Sequence, residues 1–176
     1  MRQLSPFAAG FAALLLASCA TEDEAASDNA AAAPALELTG RVVDAADVLA
    51  ASTEATLTET LEALESDTGV QLVVATTPDL EGREIDAYSF DLGNAWGLGS
   101  AERNDGLLLL VAPNERQVRI EVGIGLESKV TNLEASEIIH VAMMPHLRRG
   151  DFSSAMIVGV DSLIEEVEET EVKEAA

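Results

Sequence analysis

One cysteine, Cys19, stands in a chain of 176 residues, so a domain downstream of it has no internal disulfide, no cysteine zinc site and no thiol nucleophile. Basic residues are scarce as well: 10 Lys and Arg face 32 Asp and Glu, a formal net charge of −22. Nucleic acid and anionic lipid headgroups repel such a body, because binding to either needs positive patches. Cations are the partners this charge attracts, although acidity also serves simply to keep an exported protein soluble. Past the first residues, no apolar run approaches the roughly 20 residues that span a bilayer. Histidine is limited to His140 and His146. Their six-residue spacing does not share a helix face, so they make a poor metal pair. No Gly-x-Ser-x-Gly nucleophile elbow occurs.

What is present begins with an export signal. Arg2, the apolar stretch from Phe7 to Leu16 and the small residues that follow place this signal over residues 1–18. Leu16-Ala17-Ser18-Cys19 matches the lipobox, in which the Cys19 thiol takes a diacylglycerol and becomes the first mature residue. Residues 19–37 then read as the lipidated cysteine and a flexible acidic tether with no periodic apolar face. The expected setting is the cell envelope, facing the periplasm and meeting the membrane through the N-terminal lipid only. Ala20 after the cysteine, in place of aspartate, favours the outer membrane over the inner.

Residues 38–168 carry the pattern of one domain, and residues 169–176 read as an acidic tail. After a short extended lead-in to Asp44, Ser52 is expected to cap a helix with Leu57, Leu61 and Leu64 on one face and Gly69 at its end. Val70–Thr76 is short and rich in β-branched residues, hence a buried strand. Ile85, Tyr88, Leu92 and Trp96 recur at helical spacing before Gly97, and Leu107–Val111 is an uninterrupted central strand. Val118, Ile120 and Val122 alternate with polar neighbours, the second arm of a hairpin. Thr131 and Glu134 form a capping box, Pro145 kinks or ends that helix, and Asp151 caps the last one. The sum is an α/β sandwich with a short central sheet between helical layers.

Hard divalent cations take carboxylate, amide and backbone oxygens from loops. Asp44 and Asp47, Asn104 and Asp105, and Glu121 and Glu127 supply that inventory near strand ends. The same residues also suit other roles: Asp44 and Asp105 as turn-forming side chains, Glu121 as the partner of Arg119 or Arg103.

The ordered motifs Gly40-Arg41-Val42-Val43-Asp44, Trp96-Gly97-Leu98-Gly99, Asn104-Asp105-Gly106-Leu107, Val118 to Glu127 and Arg149-Gly150-Asp151 resemble those of the TPM-domain family. That family is known from thylakoid-lumen proteins linked to photosystem II repair and from exported bacterial proteins. The resemblance implies a single Rossmann-like αβα sandwich that often binds metal, with an acid phosphatase activity proposed in its plant branch. Carried over to this sequence, it implies that Asp44, Asn104, Asp105, Glu121 and Glu127 hold a divalent cation, calcium first. Many relatives carry a transmembrane segment and a Gly-rich tail after the domain, whereas this chain is expected to be anchored at its front, so a photosystem role is not implied. The function expected from sequence is an envelope module that binds a divalent cation and an unidentified envelope protein in assembly, maintenance or repair. The alternative is a metal-assisted phosphatase acting on phosphomonoesters.

Overall fold

The computed structural model describes residues 34–174. The signal, Cys19 and the tether before Pro34 lie outside the described residues. Strands β1 (Val42–Asp44), β2 (Gln71–Thr76), β3 (Gly106–Ala112) and β4 (Gln117–Val122) form one sheet in that spatial order. The first three are parallel, and β4 returns antiparallel beside β3. Every residue of β3 is buried, as its unbroken apolar run requires of a strand covered on both faces.

Helix α1 (Ala51–Thr68) buries Leu57, Leu61 and Leu64 and stops at Gly69, whose φ of 76° suits a residue without Cβ. Its start differs from the expected Ser52 cap. The helix begins at Ala51, and its N-cap Ala50 has no capping side chain of its own. Ala50 instead donates its N–H to Ser153 Oγ at 3.1 Å, so a tertiary bond sets the start. Helix α2 (Ile85–Trp96) buries Tyr88, Ser89 and Leu92 and ends at Gly97.

The Thr131 and Glu134 capping box opens α3 (Asn132–Glu137) with both reciprocal bonds made. A π-helical turn follows over Ile138–Met143, then α4 (Met144–Leu147). Pro145 has no N–H to offer the carbonyl one turn back, and the backbone ahead of it widens accordingly. Asp151 Oδ1 accepts the Ser154 N–H at 3.1 Å and caps α5 (Phe152–Glu174), which continues past the expected end of the domain at Glu168.

Two apolar clusters lie on opposite faces of the sheet. One joins Leu57 and Leu61 of α1, Leu109 and Ile120 of the sheet, Met143, and Met156 and Leu163 of α5. The other joins Tyr88 and Leu92 of α2 to Val73, Leu108 and Leu110. The architecture is therefore an αβα sandwich. Because β1, β2 and β3 progress across the sheet in one direction while α1 and α2 cover opposite faces, the two crossovers have opposite hands, a departure from the usual right-handed rule. No helix among the described residues is long and apolar enough to cross a membrane.

Candidate binding site

The parallel strands decide where the candidate ligands lie. Asp44 ends β1 and is aligned with Thr76 at the end of β2, which is aligned with Val111 near the end of β3. Asn104 and Asp105 precede the start of β3, so they sit at the opposite rim, at least about 15 Å away along the strands. Asp44 serves its own turn. Its carboxylate accepts the N–H of Leu49 at 2.8 Å, that of Val48 at 3.3 Å and the Thr76 hydroxyl at 2.5 Å.

At the other rim, Asp105 is buried and fully engaged. Oδ1 accepts the Ser100 N–H at 2.8 Å and the Ser100 hydroxyl at 3.0 Å, while Oδ2 receives Arg103 Nε at 2.5 Å. Burial alone would raise its pKa. The bonds from the Ser100 amide, the Arg103 guanidinium and the Ser100 hydroxyl together outweigh burial and hold the carboxyl below its ordinary value. Glu121 Oε2 accepts from Ser89 Oγ at 3.1 Å and from Arg119 Nε at 3.2 Å. Asn104 is exposed with a left-handed φ of 49°, and Glu127 is exposed on the loop beyond β4.

The five residues expected to share one ion are thus not brought to one point. Asp44 is at the wrong rim, and at Asp105 and Glu121 an arginine already supplies the positive charge an ion would bring. Among the described residues no group of three or more His, Cys, Asp or Glu is gathered to hold a metal. The rim is instead a backbone junction. A Cβ at Gly123 would run into the Asn104 carbonyl oxygen, and one at Gly125 into that of Arg103. This close approach explains the glycines of the motif.

A second region, not singled out from the sequence, lies along β4. This strand is a sheet edge. Gly123 N–H bonds Gly106 O at 2.8 Å one step beyond the Leu107 and Val122 pair. By the antiparallel alternation, Gln117, Arg119 and Glu121 therefore bond β3, and the N–H and C=O groups of Val118, Ile120 and Val122 point outward. No backbone bond from any other described segment reaches those groups. Val118 and Ile120 lie on the floor of a groove of about 390 Å³, walled by Ile85 and Asp86 of α2 on one side and by Ala135, Ser136, Ile139 and His140 on the other, while Val122 lines a neighbouring cavity with Glu127, Val130 and Asn132.

At the hairpin end the groove meets an apolar pocket of about 390 Å³, lined by Val111, Val118, Met144, Leu147 and Phe152 with Arg116 and Arg148 among its walls. Sequence reasoning missed this pair because the two arginines lie far apart in the chain and only the fold brings them to one cavity.

A family model described as the TPM domain matches residues 42–166. The chain belongs to the TPM-domain family. The match spans all four strands of the sheet, so the TPM fold includes both the glycine-packed rim and the β4 edge. The N-terminal domain of a P. gingivalis protein, solved in solution, superposes with a TM-score of 0.70 at 31% identity, covering 75% of this chain and 84% of that one. The N-terminal domain of a Corynebacterium glutamicum protein superposes at 0.58 with 17% identity, covering 73% and 80%. A protein of the psychrophilic bacterium Bizionia argentinensis superposes at 0.60 with 15% identity, covering 69% and 82%. The last two share the TPM fold alone. No curated protein matches the chain.

Proposed function

We propose that this protein is a binding module of the cell envelope, tethered through lipid on Cys19, that captures an extended segment of a partner protein by adding it as a fifth strand beside β4. The observation that carries this reading is the row of outward N–H and C=O groups at Val118, Ile120 and Val122, the first two on the floor of a walled groove and the third in the cavity beside it. Unpaired edges are normally blunted or covered. An edge left unpaired between two helical layers, with Val118 half-buried and Ile120 3% exposed, suits strand addition, in which main-chain bonds give affinity and flanking side chains give selectivity. The expected divalent-cation role has less support, since the candidate carboxylates are separated or already bonded. Phosphomonoester hydrolysis has less support for the same reason.

The test is amide hydrogen exchange, followed by NMR, in the presence of a pool of extended octapeptides. Bound peptides should protect the amides of Val118, Ile120 and Val122, and Val118→Pro should abolish protection while leaving the β3 and β4 ladder intact, because the Val118 N–H faces outward. Binding that leaves those three amides exchanging freely would overturn the proposal.

A further inference from the structure

The β4 groove ends in a cavity whose chemistry is unlike the rest of the molecule. Where acids outnumber bases 32 to 10, most arginines find a carboxylate: Arg41 pairs with Glu65, Arg83 with Asp91, Arg103 with Asp105, and Arg119 with Asp86 and Glu121. Arg116, Arg148 and Arg149 do not, among the described residues; Arg149 lies beside His146, whereas Arg116 and Arg148 line the same apolar pocket. The neighbouring Glu115 is turned away, accepting the Leu80 N–H at 3.3 Å. Arg116 also holds a left-handed backbone at φ 57°, where glycine would relax.

A second observation lies where pocket and groove join. Gln117 lines both, and its Oε1 is shielded from solvent without any hydrogen-bond partner. A buried acceptor left alone costs free energy that a donor would recover. The site thus asks for an anionic head between two arginines, an apolar body, and an N–H beside the head. A fatty-acid carboxylate brings the first two only. A peptide ending in an apolar residue brings all three. Its direction also fits: Arg116 precedes the first residue of β4, so a strand running antiparallel to β4 would end there.

We infer that the captured segment is the free C-terminus of the partner, with its α-carboxylate between Arg116 and Arg148 and its last side chain in the Val111, Leu147 and Phe152 pocket. This rests on the strand-addition reading and adds the class of ligand to it. Charge-assisted bonds to a carboxylate correspond to roughly tenfold or more in affinity.

The experiment compares a pool of octapeptides alternating valine and threonine, with a fixed C-terminal leucine, as free acids and as carboxamides, reading both affinity and protection of the β4 amides. Free acids should bind at least about tenfold more tightly. The difference should vanish in the Arg116→Gln/Arg148→Gln double variant, whose melting temperature should match that of the unaltered protein because neither arginine has an acidic partner to lose. Equal binding of acids and carboxamides, both protecting β4, would overturn the C-terminal inference while strand addition stands. Failure of both pools to protect β4 would remove the strand-addition reading itself. Dodecanoate competing with the free-acid pool as effectively as the pool's own members would assign the pocket to a free amphiphile and overturn the inference.

Discussion

Asp105 joins the loop after α2 to the start of β3, and its carboxyl titrates below the ordinary 3.8 because Ser100 and Arg103 bond its charged form against the cost of burial. A depressed carboxyl stabilises the fold above its unfolded pKa and loses that contribution as pH falls through the lower folded value. Denaturant melts of Asp105→Asn should therefore lie below those of the unaltered protein at neutral pH, and the gap should close as pH drops below 3.8. Asp105→Ala, which leaves the part-buried Ser100 N–H without its acceptor while the exposed Arg103 returns to water, should cost about 1–2 kcal/mol, and calorimetry should show the same loss with and without calcium. A loss confined to calcium-containing buffer would instead mark Asp105 as an ion ligand. The acidic residues were readable in the sequence as a set of oxygen donors, but their partners were not. That Asp44 serves its own turn, and that Asp105 and Glu121 each face an arginine, depends on neighbours supplied by other elements.

Elements with a strong local signal appear where the sequence places them. Gly69 and Gly97 end α1 and α2, the Thr131 and Glu134 pair opens α3, and the apolar run at Leu107 becomes the central strand, because each signal involves residues within a turn of one another. The start of α1 is set by Ser153, about a hundred residues away, and no local pattern announces it. Strand order and crossover hand are likewise global, which is why Asp44 and Asn104 seemed able to meet and do not. The β4 edge escaped notice for the same reason: alternation identifies a strand but not whether it has one neighbour or two. The rim glycines give this scale its own test. Gly125→Ala sets a methyl against the Arg103 carbonyl, so it should lower the melting temperature by several degrees, the effect of about 2 kcal/mol in a domain of this size. Val118→Pro, on the outward side of β4, should melt within a few degrees of the unaltered protein.

Across the whole molecule, a net charge of −22 makes the folded state repel itself. Raising sodium chloride from about 0.01 M to about 0.15 M shortens the screening length from roughly 30 Å to roughly 8 Å. The melting temperature should rise with it, as followed by circular dichroism. Calcium at matched ionic strength should raise it no further, and an extra rise would show that a specific ion site exists. With the proposed lipid on Cys19, the protein should sit on vesicles of zwitterionic and anionic lipid alike, since its net charge of −22 gives anionic headgroups no long-range attraction.

The open hem of β4 has one more consequence. Two copies of the chain could zip together along it were it not for the electrostatic cushion each carries. Near the isoelectric point of about 4.1 that cushion deflates, and the bare amides of neighbouring molecules become each other's nearest mates. Mild acid should thus draw molecules that repel one another at neutral pH into sheet-linked aggregates, whose growth an edge-blocking Val118→Pro substitution would slow.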